Sequence, residues 1–351
     1  MGFSSILGQP TAVETLTRAL AAGKLHHAYR FEGPPGVGKE LAAFALAQAL
    51  VCEAPTPVGC EKCSACQRAV TLAAEDPRVP SHPDVVLLGR GLYGSLLGSG
   101  VSEATGISVE QIRKLVLSRA GYRAHEGRGL VFIVRNADEL TQQAANALLK
   151  TLEEPADRTH FVLLTSRPRR LLDTVRSRTL AVRFAPLSDA IVNQLLEARG
   201  LATDVAPLAH GSAELAFELA DPEAMRERDE FVSAARAALE APDLAEAIAL
   251  GQFRAEGRDG IREQLGFFAQ ALADDARGAI TSDPPRAERA AHRHAVVLRT
   301  LAEIERNVQL LLARMRTTED KDARRTMLEH FLNEDFHFGS IDTDEVLLHL
   351  E

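Results

Sequence analysis

The segment from Gly33 to Glu40, GPPGVGKE, has the spacing of a phosphate-binding P-loop, G-x-x-x-x-G-K-[ST], except at its last position. In such a loop the backbone N–H groups and the lysine hold the phosphates, while the final hydroxyl holds a magnesium ion. The negative charge of Glu40 replaces that hydroxyl and opposes phosphate binding unless a metal intervenes. The candidate nucleotide-binding residues are Gly33, Gly36, Gly38 and Lys39.

Hydrolysis in a P-loop fold also needs an acidic residue at the end of a second strand. The apolar run Leu130–Val134 is the candidate for that strand, and it is followed by Arg135 and Asn136 instead of acids. Asp138 and Glu139 come next, where we expect solvated acids at a helix start, favoured by the positive end of the helix dipole. Both metal contacts are therefore altered. The sequence predicts a P-loop fold that does not hydrolyse ATP by itself, and it leaves ATP or ADP binding open.

Four cysteines form a second candidate site, with three of them in the string CEKCSAC: Cys52, Cys60, Cys63 and Cys66. Four thiolates complete a tetrahedral zinc site and leave no open coordination position, so the zinc would be structural. Disulfides are the alternative, but a reducing compartment and the strain of adjacent C-x-x-C bridges disfavour them. Lys62 and Arg68 are the only basic residues between positions 52 and 68, and no aromatic residue occurs there. This composition favours a local staple over nucleic-acid binding.

The size and charge of the chain limit the remaining possibilities. A length of 351 residues predicts two or three domains. The formal net charge of -9 argues against binding nucleic acid through bulk electrostatics, so any such contact is expected to be local. The first residues, MGFSSILGQP, lack the features of a signal peptide, and no apolar run is long enough to span a bilayer. We expect a cytoplasmic location and no membrane partner.

Strand-like apolar runs alternate with helical patterns in the first half of the chain, which predicts an α/β fold with a mostly parallel sheet. The predicted strands are Ala28–Glu32, Asp84–Leu88, Leu130–Val134 and His160–Thr165. A helix is predicted at Thr11–Ala22, capped by Thr11 and Glu14, and another is capped by Ser108 and Gln111. The glycine-rich stretch from Gly89 to Gly106 is expected to be a mobile surface loop.

From Pro186 onward the strand signals disappear, and the composition becomes rich in Ala, Leu, Glu and Arg with helical periodicity, for example over Ala295–Met315. We therefore predict three domains. Residues 1–186 form the P-loop domain with the inserted cysteine module at 52–66. Residues 187–220 form a small helical domain, and residues 221–351 form a larger helical domain.

Five strings occur in the same order in bacterial clamp-loader subunits, and the chain resembles that AAA+ family. They are HHAYRFEGPPGVGK, the C-x-x-C-x-x-C module, ISVEQIRKL, NALLKTLEEP and TVRSRT. The resemblance is strong over Ile6–Arg183. It implies an AAA+ module, a small helical lid and an all-α collar through which five subunits form a ring. The ring loads a sliding clamp onto primed DNA.

Within this family the chain resembles the delta-prime branch of DNA polymerase III more than the tau/gamma ATPase branch. An ATPase member would carry Ser or Thr at Glu40, an acidic pair at Arg135 and Asn136, and an arginine at Glu214 in the string GSAEL. All these nucleotide contacts are changed. The resemblance also places Thr165 where the family has a polar sensor residue, a role that depends on local hydrolysis.

Ser177 and Arg178 match the S-R-C motif of the family, with Thr179 in place of the cysteine. The resemblance implies that Arg178 is an arginine finger, which neutralises charge at the ATP site of a neighbouring subunit. From spacing alone, Arg178 could equally be one of several solvated arginines in this segment. Glu153 and Glu154, which precede Pro155, are expected to be a solvated helix end.

The partners implied by the resemblance are the tau/gamma ATPase subunits and the delta subunit, with the sliding clamp and primer-template DNA reached through the assembled complex. The chain would then be a subunit of a DNA-directed DNA polymerase holoenzyme. Two alternatives remain open at this stage. One is an active tau/gamma-type ATPase in which Asp138, Glu139 or Glu40 replaces the usual metal contacts. The other is a zinc-dependent DNA-binding module.

Overall fold

The computed structural model describes residues 2–54, 56–93, 106–126, 128–240, 257–280 and 282–299. Within these residues, five strands form one parallel sheet: β1 (Ala28–Glu32), β2 (Val85–Leu88), β3 (Leu130–Val134), β4 (Thr159–Thr165) and β5 (Leu180–Arg183). The strand order is β2-β3-β4-β1-β5. The four predicted strands are confirmed to within one residue at their ends. The edge strand β5 escaped prediction because only Val182 within it is buried, so it forms no apolar run.

Helices flank the strands along the chain: α1 (Pro10–Ala21), α2 (Lys39–Val51), α3 (Ser64–Val70), α4 (Val109–Gln111, π-helical Ile112–Leu117 and Ser118–Ala120), α5 (Gln142–Glu153), α6 (Asp173–Arg176), α7 (Asp189–Glu197) and α8 (Ala213–Leu219). The capping box of Ser108 and Gln111 is confirmed at the start of α4. The capping box predicted at Thr11 and Glu14 is wrong. Helix α1 begins earlier, at Pro10, because proline fits the first turn, where its missing N–H has no partner to lose.

The sheet is covered on both faces, as its continuous apolar strands predict. Side chains alternate between the faces, so Phe31 and Ile133 belong to one buried cluster while Phe132 and Phe161 belong to the other. Helices α1, α2 and α3 contribute to the first cluster, and α4, α5 and α6 contribute to the second. The arrangement is the doubly covered α/β sheet of a P-loop domain.

The parallel direction of the strands brings their carboxyl ends to one edge of the sheet. Glu32 at the end of β1 pairs in register with Thr165 at the end of β4, and Val134 at the end of β3 pairs with Leu163. The P-loop therefore follows β1 at the same edge at which Arg135 follows β3. This edge collects the residues that sequence analysis associates with nucleotide chemistry.

The described residues fall into two compact units, one ending at Phe217 and the other beginning at Glu218. The second unit contains α9 (Pro222–Glu240), α10 (Gly257–Ala279) and a further helix, α11, over residues 284–299. A buried cluster built from α9 and α10 includes Phe231, Phe268 and Leu272. The first unit includes α7 and most of α8, so the division of residues 1–220 into a P-loop domain and a lid stays a prediction.

Several predictions from sequence fall on residues that the structure does not describe. Residues 94–105 of the glycine-rich loop predicted at Gly89–Gly106 lie outside the described residues, as do 241–256 and 300–351 of the predicted collar. The helical pattern at Ala295–Met315 is confirmed only up to residue 299, where the description ends. Across the described part of the chain, no helix is both long and apolar enough to cross a membrane.

Candidate functional site

Lys39 is the first residue of α2 and lies inside the P-loop. Its Nζ donates hydrogen bonds to the carbonyl oxygen of Gly33, at 2.6 Å, and to that of Pro34. Burial lowers the pKa of Lys39 to about 8, and the nearby carboxylates of Asp138 and Glu214 oppose that shift. The lysine that would bind phosphates therefore faces loop carbonyls and two acids of this chain.

The two departures from the ATPase pattern form an ion pair with each other. Arg135 donates from Nε to Oε2 of Glu40 at 2.6 Å and from Nη2 to Oε1 of Glu40, a bidentate arrangement. The side chains are 31% and 37% exposed, respectively. The guanidinium thus lies against the position that a magnesium ligand occupies in an active P-loop. It also neutralises Glu40, so the expected repulsion between Glu40 and phosphates is offset.

Asp138 is not solvated, and the prediction of an exposed helix start is wrong for this residue. Its side chain is 1% exposed. Thr165 donates its hydroxyl to Oδ1 at 2.6 Å, and Arg167 donates from Nε to Oδ2 at 2.8 Å. Asn136 adopts a left-handed conformation with φ of 44°, and the short 3-10 helix Ala137–Glu139 follows it. This turn directs Asp138 towards the end of β4, where both of its oxygens are occupied.

The segment at the start of α8, residues 212–214, packs directly on the P-loop. The N–H of Ala213 donates to the carbonyl oxygen of Gly36 at 3.0 Å. Gly36 has φ of +67°, and a Cβ added there would lie 2.3 Å from Oγ of Ser212. Glycine is therefore required at this position by backbone conformation and by packing. Glu214, which stands where the ATPase pattern carries arginine, belongs to the same segment.

Arg178 follows α6 at the surface, with a side chain that is 34% exposed. Its Nη1 donates to the carbonyl oxygen of Thr174 at 2.9 Å and to Oγ of Ser177 at 3.2 Å. Its Nε and Nη2 contact Oε1 of Glu153, the last residue of α5. Glu153 is an exposed helix end, as predicted, and its carboxylate also holds Arg178, a contact that was not predicted.

Other arginines of this segment have different partners. Arg167 binds Asp138 at the edge of the sheet that carries the P-loop. Arg176 instead pairs with Asp173 within α6 at 2.8 Å. Thr179, which replaces the cysteine of the S-R-C pattern, is buried, and its hydroxyl accepts a hydrogen bond from Nη1 of Arg30 at 2.6 Å. The motif is thus fixed to β1 through Thr179, while Arg178 remains at the surface.

The four cysteine Sγ atoms lie within 4.8 Å of one another, and none of these thiols forms a disulfide. Cys52 follows the last residue of α2, and Cys63 caps α3. Tetrahedral zinc with Zn–S bonds of 2.3 Å would place its sulfurs about 3.8 Å apart, close to the 4.0 Å between Cys52 and Cys63.

Backbone N–H groups favour the thiolate form of Cys52 and Cys60, whereas burial raises the pKa of the Cys66 thiol. The N–H of Cys60 donates to Sγ of Cys52, and the N–H of Cys63 donates to Sγ of Cys60, each at 3.3 Å. Hydrogen bonds from the N–H groups of Lys62 and Cys63 lower the pKa of the Cys60 thiol. The donor set therefore fits a four-coordinate metal ion with no open position, and the cluster can bind a metal.

Comparison with known proteins supports the resemblance to clamp-loader subunits. The family model described as "DNA polymerase III, delta subunit" matches residues 8–188. DNA polymerase III subunit delta' of Bacillus subtilis is 33% identical over 229 residues, which cover 64% of this chain and 60% of the relative. DNA polymerase III subunit gamma/tau of Mycobacterium tuberculosis (strain H37Rv) is 35% identical over 207 residues, covering 58% of this chain and 32% of the relative.

The chain thus spans about 60% of the delta' relative and about one third of the gamma/tau relative. Among solved structures, a gamma-subunit-related protein from Thermotoga maritima aligns with a TM-score of 0.40 and 16% identity, covering 84% of this chain and 98% of that one. The family model alone covers more than half of the 351 residues, across the sheet, the P-loop and the Arg178 motif. The chain belongs to the DNA polymerase III delta subunit family, within the AAA+ clamp-loader proteins.

Proposed function

We propose that this chain is a non-hydrolysing, delta-prime-type subunit of a DNA polymerase III clamp loader, and that Arg178 serves the ATP site of a neighbouring subunit. In this role it assembles with tau/gamma ATPase subunits and a delta subunit. The complex then loads a sliding clamp onto primer-template DNA with energy from ATP. The observation that carries the proposal is the ion pair between Glu40 and Arg135.

That ion pair supports the loss of local hydrolysis because of its charge and its place. Magnesium needs oxygen ligands and carries two positive charges, so a guanidinium at the end of β3 repels it instead of binding it. Glu40 has the right charge for a metal, but both of its oxygens accept hydrogen bonds from Arg135. Binding magnesium would require breaking this bidentate pair.

The surface position of Arg178 supports its role in a neighbouring site. A guanidinium presents five N–H donors in a planar fork, which suits the spread charge of a transferring phosphoryl group. Arg178 follows α6 and contacts the end of α5, apart from the P-loop residues of this chain. The chain can therefore keep this arginine while its own metal contacts are absent.

Asp138 favours a second candidate function, an active ATPase in which this acid takes over a metal contact. Its carboxylate lies close enough to Lys39 to oppose the lowering of the Lys39 pKa. Against this candidate, Thr165 and Arg167 occupy both carboxylate oxygens. Magnesium-dependent turnover that Lys39→Ala abolishes, in a ring whose other ATP sites are disabled, would establish this alternative.

For the cysteine cluster we propose one structural zinc ion per chain. The cluster joins the end of α2 to α3, and the N–H of Cys66 also donates to Sγ of Cys63 at 3.5 Å. Arg68, one of the two basic residues between positions 52 and 68, is bound to Glu126 by two hydrogen bonds of 2.7 and 2.8 Å. The site therefore supports a staple within the domain more than a DNA contact.

The test of the proposed function is ATP turnover of the reconstituted loader, stimulated by DNA and clamp. The ring should carry disabled P-loops at every ATP site that is not adjacent to this chain. Arg178→Ala is expected to lower turnover by about 10³-fold, the lower end of the effect of arginine fingers. Arg176→Ala, which removes an exposed arginine two residues away, is the matched control and should leave turnover unchanged. Normal assembly with unchanged turnover of Arg178→Ala would reject the role.

A further inference from the structure

The guanidinium of Arg178 is held on two sides by two different helices. On one side, Nε and Nη2 contact a single oxygen of Glu153, at the end of α5. On the other side, Nη1 donates to the carbonyl oxygen of Thr174, in α6, and to Oγ of Ser177. Of the five N–H groups of a guanidinium, these contacts leave one N–H of Nη2 outside them.

The elements that carry these contacts are themselves fixed. Helix α5 is capped by the hydroxyl of Thr141, which accepts from the N–H of Ala144 at 3.2 Å. Leu152, the neighbour of Glu153, is fully buried, and its carbonyl oxygen contacts Nε2 of His27 at 2.8 Å. In α6, Val175 is likewise fully buried. Glu153 therefore projects from a backbone that cannot shift without disturbing the core.

A long arginine side chain that is free in solvent must lose rotamer entropy when it meets a phosphate. An anchor on Nε and Nη2 removes that loss in advance, because the direction of the guanidinium is set before the partner arrives. A carboxylate also matches the positive charge, so the anchored geometry is stable while the chain is unassembled. These properties are those of a residue that positions another.

We infer that Glu153 is a positioning residue for Arg178, fixing the direction in which the guanidinium meets the neighbouring ATP site. The inference rests on the proposed function of Arg178. In this role Glu153 acts only through the arginine. Glu154 is exposed and adjacent in sequence, but it lies beyond the end of α5, with φ of -129° and ψ of 68° outside the helical conformation.

The experiment compares Glu153→Ala, Glu153→Gln and Glu154→Ala in the reconstituted ring used for Arg178→Ala. Glu153→Ala is expected to lower kcat by about tenfold with KM for ATP nearly unchanged, since a misdirected guanidinium weakens the transition state rather than ATP binding. Glu153→Gln keeps an acceptor oxygen and should retain part of the lost activity. Glu154→Ala should match the unaltered chain.

A double variant separates positioning from a general structural effect. If Glu153 acts through Arg178, then adding Glu153→Ala to Arg178→Ala should cause no further loss of turnover. Further loss, or unchanged or raised turnover of both single Glu153 variants, would overturn the inference. If Glu153→Ala fails to assemble, Glu153→Gln carries the same comparison. Failure of Arg178→Ala to lower turnover would instead reject the proposed function itself.

Discussion

Two ion pairs of this chain each join an arginine to a glutamate, but they lie in different parts of the domain and differ in how the carboxylate is used. Glu40 and Arg135 join the start of α2 to the end of β3, whereas Glu153 and Arg178 join the end of α5 to the residues after α6. In the first pair, Nε and Nη2 of Arg135 donate to separate oxygens of the Glu40 carboxylate, so neither oxygen is available to a metal ion unless the pair breaks. In the second, a single carboxylate oxygen receives the arginine, and an N–H remains outside its contacts.

The charged groups around the two pairs differ as well. Near the first pair, Lys39 faces Asp138 and Glu214, and Asp138 also binds Arg167. Positive and negative groups at the P-loop edge are thus matched within the chain. The second pair lies on elements that contribute nothing to that edge. Because the two sites share no element, one can lose its metal chemistry while the other keeps an arginine for a partner.

The largest expected contrast comes from removing the lysine of one site and the arginine of the other. In the ring assay described above, Lys39→Ala should change ATP turnover by no more than about twofold, against about 10³-fold for Arg178→Ala. The reason is that Lys39 is matched to groups of its own chain and, under the proposed function, serves no hydrolysis. Both variants must assemble normally by sedimentation. A loss with Lys39→Ala that approaches the loss with Arg178→Ala would remove the distinction between the sites.

A second contrast concerns what stabilises the P-loop domain. Replacement of Cys63 by Ser is expected to reduce bound zinc from about one ion per chain to nearly none and to lower the thermal midpoint by about 5 °C or more. Ser64→Ala, at the adjacent exposed position, is the control. Metal content and thermal unfolding are the measurements.

Magnesium should have no comparable effect on that midpoint. Any shift produced by ATP is expected to be equal with and without Mg²⁺, because Arg135 occupies both carboxylate oxygens of Glu40, the residue at the position of the magnesium ligand. Full zinc loss without a change in midpoint would show that the metal is not structural. A larger ATP shift in the presence of Mg²⁺ would show that the domain has kept a metal contact.

The smallest expected effect is on the stability that the first ion pair contributes. Glu40→Ala should lower the free energy of unfolding by about 1 kcal/mol, since the pair is bidentate but about one third exposed. Exchange of the two residues, Glu40→Arg with Arg135→Glu, should recover part of this loss. Glu14→Ala, which breaks the well-exposed pair of Glu14 with Arg18, is the control, with an expected loss below about 0.5 kcal/mol. Chemical denaturation measures all three, and equal losses for Glu40 and Glu14 would contradict the special place of the first pair.

Much of the fold could be predicted because the buried strands are continuous apolar runs. Leu130–Val134 is correct at both ends, since every residue in it is buried. The strand β5 could not be found in this way, because it borders the sheet and buries only Val182. The cysteine cluster was visible from spacing alone, and the structure brings the four thiols together as that spacing predicts.

The pairing within the candidate site could not be predicted, because it depends on distant parts of the chain meeting at one edge of the sheet. Glu40 and Arg135 are 95 residues apart in sequence, and Thr165 and Asp138 are 27 apart. Sequence analysis found each departure at the P-loop but not that two of them neutralise each other. It also missed Arg167 as a partner of Asp138, although its place two residues beyond the end of β4 was an available signal.

Two glycines of the P-loop are required by the packing of the domain as well as by any phosphate. A Cβ at Gly33 would lie 2.4 Å from the carbonyl oxygen of Phe184, and one at Gly36 would meet Ser212. Larger residues are therefore excluded by the rest of the chain, with or without a phosphate in the loop. A glycine-rich signature of this kind is required even where no nucleotide is bound, because neighbouring residues leave no room for a side chain at these positions. The glycines in such a sequence indicate the shape of the domain, whereas the residues beside them indicate whether the domain can carry out nucleotide chemistry.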